Sequence, residues 1–117
     1  MSEQWKIEHD RRQYRLMIER LEAFHRRAIG IHALISALKG LLSALELKDE
    51  KWIEQATNEW GNIEIAYAIE CDRCEEAGVG FDEINSKLFE MNSVKESISK
   101  LEGLIRERLD TLRDDMS

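Results

Sequence analysis

The sequence predicts an all-α domain, and three observations carry that expectation. Its 117 residues contain no proline, whereas a β-rich domain of this size uses proline and glycine in its turns. Apolar residues recur at spacings of three and four along most of the chain, which is the period of one helical face. Charged residues (35%) are interspersed with hydrophobic ones (43%), enough apolar content to fill one core and too much for wholesale disorder. The length fits one domain, and no linker, internal repeat or low-complexity tract divides residues 1–117.

The breaks in the pattern are Gly30, the Lys48-Asp49 pair and Gly78-Val79-Gly80, and they delimit four helical segments. The first is expected from about Glu8 to His25, with Tyr14, Met17, Ile18, Leu21 and Phe24 on one face. Trp5 and Ile7 either extend it or pack as an N-terminal arm. The second runs from about Ile31 to Leu45 behind Gly30 as N-cap. Its stripe of Ile31, Leu34, Ile35, Leu38, Leu41, Leu42 and Leu45 is interrupted only by Lys39, so this helix belongs at the centre of the domain.

The third segment starts after Asp49, a good N-cap, and ends near Ala77 with Gly78 as its left-handed terminator. At about 100° per residue, Trp52, Ala56, Trp60, Ile63, Tyr67 and Cys74 share one sector of about 80°. Glu70 falls at the angle of Trp52, on the core side, and requires a cationic partner there. An arginine from the first or fourth helix is expected. The fourth segment is expected from Asp82, as N-cap, to about Arg113, with Ile84, Leu88, Met91, Ile98, Leu101, Ile105 and Leu112 as its stripe. The stripe favours one continuous helix. The capping-box spacing of Ser93 and Glu96 marks Asn92-Ser93 as the place for a break. Short connections between four such helices predict an antiparallel four-helix bundle, with or without the arm.

Charge narrows the function classes. The net charge is −7. Residues 1–45 hold 8 Lys/Arg and 5 Asp/Glu, residues 46–83 hold 3 and 12, and residues 84–117 hold 6 and 7. The negative excess is therefore concentrated in the middle third, which repels phosphates and attracts basic partners. No stretch is long and apolar enough to span a bilayer, and the opening residues MSEQWKIEHDRRQYR are too polar for a secretory signal. A soluble, cytosolic protein with reduced cysteines is expected.

Two blocks are more specific than periodicity: FHRRAIGIHALISALKGLLSAL (24–45) and DEKWIEQATNEWGNIEIAYAIECDR (49–73). The pattern is carried by Leu34, Ile35, Leu38, Gly40, Leu41, Leu42, Ala44, Leu45, Glu46, Asp49, Trp52, Trp60, Gly61, Ile63, Glu64, Tyr67, Ala68, Asp72 and Arg73. It resembles a group of small bacterial helical proteins, some of them similar to immunity proteins encoded beside contact-dependent or polymorphic toxins. The resemblance implies a non-enzymatic toxin inhibitor of contact-dependent growth inhibition. Its partner would be a cognate protein toxin, and no nucleic acid, membrane or cofactor would be involved. A nuclease, with its basic cleft, is the natural target of an acidic inhibitor. The expected partner-binding residues are Glu46, Asp49, Glu50, Glu54, Asn58, Ile65, Ile69, Asp72 and Glu76. On the third helix Ile65 and Ile69 point away from the aromatic face. Either they pack on another segment, or they form a small apolar patch rimmed by carboxylates, the anatomy of a protein-binding site.

Other motifs carry less. Cys71 and Cys74 form a C-x-x-C, but a structural zinc site needs four ligands, and a redox motif needs a preceding strand. Packing is expected of both. Glu22 and His25 form a single E-x-x-H where a di-iron bundle needs two plus further glutamates, so no metal is expected. Arg20 and His25 share the R-x4-H spacing of HEPN ribonucleases, in which the arginine would hold phosphate and the histidine would move a proton. That is the enzymatic alternative. A non-catalytic, self-associating helical adaptor is the other, and a homo-oligomer is compatible with either binding reading.

Overall fold

Among the described residues five helices, rather than four, are formed: α1 over Gln4–His25, α2 over Ile31–Ser43, α3 over Glu50–Ala77, α4 over Phe81–Glu90 and α5 over Asn92–Asp114. The computed structural model describes residues 4–78 and 80–114, and no strand occurs among them. Residues 1–3 of the polar opening stretch, Val79 of the glycine-flanked break and residues 115–117 lie outside the described residues. Helix α1 packs on α2 and α5, α3 packs on α2 and α5, and α4 lies against α3, α5 and α2. The molecule is elongated, 57 × 25 × 20 Å, because α3 alone has 28 residues and spans about 42 Å at about 1.5 Å per residue. No helix among the described residues is long and apolar enough to cross a membrane.

The core is the union of the apolar stripes. Tyr14, Met17, Leu21 and Phe24 of α1 meet Ile31, Leu34, Ile35 and Leu38 of α2, Trp52, Ala56, Ile63 and Cys74 of α3, and Ile98, Leu101 and Ile105 of α5. Trp60 and Tyr67 are only partly buried at its edge. The Tyr14 ring meets Trp52 edge-on, with centroids 5.1 Å apart, a favoured quadrupolar arrangement. Each buried indole N–H has a partner, as it must in an apolar site. Trp52 Nε1 donates to the Leu104 carbonyl and Trp60 Nε1 to that of Ile35, both at 3.0 Å.

The helix ends follow local chemistry. Asp49 Oδ1 accepts from Trp52 N at 3.1 Å and caps α3, and Gly78 ends that helix at φ 73°, where a residue with a Cβ is strained. Gly30 is the N-cap of α2 but has no side chain to offer. Asn85 of α4 supplies the missing acceptor, its Oδ1 taking Ile31 N at 2.9 Å. A Cβ at position 30 would sit 2.9 Å from Asn85 Oδ1, so any larger residue there would displace the side chain that caps α2.

Of the two alternatives for Trp5 and Ile7, the helical extension is formed rather than the arm, because α1 already begins at Gln4. Three expectations are corrected. Helix α2 stops at Ser43, and Leu45 is buried from the turn instead. The reason is Asp10, fully buried on α1, whose carboxylate accepts Glu46 N at 2.8 Å and Leu47 N at 2.9 Å. Those amides cannot also continue the helix. Asp82 does not cap α4: Gly80 is the N-cap, and Asp82 and Glu83 occupy the first turn, where their charge suits the helix dipole. Finally, the segment from Asp82 to Arg113 is not one helix. Met91 takes an extended conformation (φ −72°, ψ 122°), and its carbonyl accepts Lys95 N to start α5. The bend releases α4 to reach across the α1–α2 turn. There Phe89 packs on Phe24 at 5.3 Å, the Arg27 guanidinium lies 4.0 Å over the Phe89 ring, and Arg27 pairs with Glu90 at 2.9 Å.

Candidate functional site

Helix α3 buries one side and leaves the other bare. The buried side holds Trp52, Ala56, Ile63, Glu70 and Cys74. On the opposite side Glu54, Asn58, Asp72 and Glu76 are all exposed. Between them Ile65 and Ile69 are 59% and 53% exposed. No segment among the described residues packs over these isoleucines, so the packing alternative for them is not realised. Among the described residues the other large exposed apolar side chains, Trp5 and Leu16, are on α1.

The isoleucines open into a groove of about 550 Å³ between α3 and the start of α5. Ala66, Glu59 and Arg73 contribute from α3, and Met91, Glu96 and Lys100 from the other wall. The two cations are already paired. Lys100 Nζ lies 3.2 Å from Glu96 Oε1, which with Glu59 holds the ammonium above its ordinary value. Arg73 donates to Glu70 at 3.1 Å. Among the described residues, no ion pair engages Glu54, Asp72 or Glu76.

Glu70 corrects an expectation. It is paired, but the cation that comes from the segment expected as the fourth helix is a lysine, and the arginine comes from α3 itself. Arg73 from the same helix takes one oxygen, and Lys87 Nζ of α4 stands 3.2 Å from the other, near enough for charge compensation although off the hydrogen-bonding direction of that oxygen. A carboxylate 2% exposed requires both.

The remaining predicted residues divide. Glu46 and Glu50 are exposed ahead of and in the first turn of α3. Asp49 is occupied within the fold: one oxygen caps α3 and the other lies 3.3 Å from Arg108 of α5. Arg108 also meets Tyr14, whose hydroxyl burial pushes above its ordinary pKa. Tyr67 is likewise raised, by burial and then by the neighbouring Cys71 thiol. Cys71 and Cys74 are free, and no group of three or more metal-ligating side chains is gathered among the described residues.

Arg20 and His25 are both exposed on α1. Five residues of helix place them about 140° apart around its axis. His25 Nε2 is 3.8 Å from Glu102 of α5, beside the Arg106 that pairs with Glu102 and Glu22.

The α5 wall of the groove has no signature in the sequence, because the bend at Met91 decides which α5 residues line it. Asp10 was equally silent: an acid in the polar stretch that opens α1 reads as solvated until the turn at 46–47 is seen above it. Neither a known protein family, nor a characterised protein, nor a solved structure matches this chain.

Proposed function

We propose that this chain is an immunity protein, a stoichiometric inhibitor that binds a cognate cationic toxin domain, a nuclease with a basic cleft, and neutralises it by steric and electrostatic occlusion in the cytosol. It breaks no bonds of its own in this reading. The observation that carries it is the pair Ile65 and Ile69, more than half exposed at the centre of a carboxylate-bearing face. Exposed aliphatic side chains one helical turn apart are unfavourable in water unless something covers them. Glu54, Asp72 and Glu76, which pair with no cation among the described residues, select a basic covering partner and speed its approach.

The end of α3 supports the same reading. Its last turn carries Glu75 and Glu76 and no base, so both charges oppose the helix dipole, a local cost of about 0.3–1 kcal/mol each. Folding gains nothing from that placement, whereas a cationic partner would. The finer architecture is proposed with it. Helices α1, α2, α3 and α5, each in contact with its two neighbours, are read as an antiparallel four-helix bundle across whose end α4 lies.

The test is calorimetry against the protein encoded by the adjacent upstream gene. A one-to-one complex is expected, with association slowed and made less salt-dependent by Glu54→Lys, Asp72→Lys and Glu76→Lys together. Absence of binding to every neighbouring toxin would refute the proposal. The ribonuclease alternative predicts that the wild type harms a host when expressed alone and that Arg20→Ala or His25→Ala removes the harm. The inhibitor reading predicts a harmless protein.

A further inference from the structure

We propose that the groove between α3 and α5 receives an α-helix: an amphipathic, lysine- or arginine-bearing segment of the partner that lays aliphatic side chains onto Ile65 and Ile69. The proposal rests on the binding reading above and deepens it by naming the secondary structure and chemistry of the occupant.

Groove dimensions come first. Its α3 wall runs from Glu59 to Arg73 and its other wall from Met91 to Lys100. Fourteen steps of helix make the longer wall about 21 Å, or about four turns. Two helices bounding such a furrow offer what a third helix needs, a row of side chains at the i and i+4 period on one side and a second ridge opposite. Ile65 and Ile69 have that spacing, with Ala66 as a small residue between them and Met91 at the end. An extended strand would find no use for these walls, because helix backbones have no free edge to pair with.

Charge selects among helices. Arg73 and Lys100 are compensated inside the groove by Glu70 and Glu96. That leaves Glu54, Asp72 and Glu76 along the same face of α3 to meet the occupant. Basic residues flanking the aliphatic ones would complement them, and acidic ones would be repelled. The same charge disfavours a second copy of this chain. An isologous dimer would set each uncompensated carboxylate row against its own image.

The test needs no toxin. Three synthetic peptides of sixteen residues are titrated into the full chain: a Leu/Lys helix with leucines at i, i+3, i+4 and i+7, a scrambled peptide of the same composition, and a Leu/Glu helix of the same pattern. The Leu/Lys helix is expected to bind, to shift backbone amide signals over 59–73 and 91–100, and to lose at least tenfold in affinity with Ile65→Ala/Ile69→Ala. That double variant keeps every charge and favours the helix. The other two peptides are expected not to bind. Equal binding of the scrambled peptide, shifts centred on α1, or full affinity in the double variant would overturn the proposal, as would no binding at all. A concentration-dependent dimer abolished by the double variant would assign the groove to a second copy and overturn it too. Binding of the Leu/Lys helix with no binding of any neighbouring toxin would instead sink the immunity reading and leave the groove assignment standing.

Discussion

Asp10 is the most consequential single side chain that the fold exposes to test. It is fully buried and accepts two backbone amides, from Glu46 and Leu47, across 36 and 37 residues of sequence. The bonds fasten α1 to the turn between α2 and α3. Asp10→Ala removes both. A hydrogen bond to a charged group contributes about 1.5–3 kcal/mol, and a buried amide left unpaired costs about 1–3 kcal/mol. Glu46 is exposed and Leu47 only half-buried, so water reaches the orphaned amides and the lower end applies, about 3 kcal/mol for the pair. Against a total stability of about 5–15 kcal/mol, that is a large fraction. With an m-value of about 1.5 kcal/mol/M, the urea midpoint should fall by about 2 M. Asp10→Asn keeps one acceptor but turns an amide N–H toward a backbone N–H, so it should fall between wild type and alanine. Hydrogen exchange supplies a local readout: in Asp10→Ala the amides of residues 46 and 47 should lose protection before the rest of α3. A midpoint shift below about 0.5 M, with those amides still protected, would show that the turn holds itself and that the clasp is incidental.

Three further outcomes are expected. Gly30→Ala should destabilise by about 1–2 kcal/mol by pushing Asn85 off the Ile31 amide. Asn85→Ala should cost about 1 kcal/mol as a lost cap, and the double variant should be clearly less than additive in urea denaturation. Full additivity would separate the two residues. Ile63→Ala, at a fully buried position, should lose about 2–5 kcal/mol, whereas Ile65→Ala and Ile69→Ala should stay within about 0.5 kcal/mol. Comparable losses would mean that the isoleucines pack after all. Both tyrosines hold their protons more tightly than an ordinary phenol of pKa 10.0. The stability this represents is complete below pH 10.0 and is lost as pH rises through the native values, because the unfolded chain ionises first. The native tyrosinate absorbance should therefore rise at higher pH than that of the urea-unfolded chain, and the urea midpoint should drop over the same range. Coincident titrations would contradict the burial argument.

Helix identity was legible wherever one apolar stripe met one cap. Asp49 and Gly78 bracket α3 as their chemistry requires, and the face of Trp52, Ala56 and Ile63 turned inward. The break at Met91 was half legible: the Ser93–Glu96 capping-box spacing marks its place, but Leu88, Met91, Val94 and Ile98 keep helical spacing straight through it and favour one helix. What breaks the helix is tertiary: Asn85, Lys87 and Phe89 reach their partners on α2, α3 and α1 only if α4 turns away from the axis of α5. Glu70 followed the same logic. Periodicity placed it in the core, but one of its two cations is a lysine whose position depends on that bend. At the candidate site, α3 supplied its own residues at readable angles, so Ile65, Ile69, Asp72 and Glu76 share a face as expected. Whether that face was covered depended on where α5 lay, which no local pattern specifies.

The extended residue Met91 also has a dynamic consequence. Helix α4 has only 10 residues, too few to persist in water by itself, and one non-helical joint uncouples its backbone bonds from those of α5. It should therefore open as a small cooperative unit while the long helices stay folded. Such an opening would take the Asn85 acceptor from Ile31, lift Phe89 off Phe24 and leave Glu70 with one cation instead of two. It would also loosen Met91 at the mouth of the α3–α5 groove. Slow breathing of this short segment and the accessibility of the two isoleucines should therefore rise and fall together.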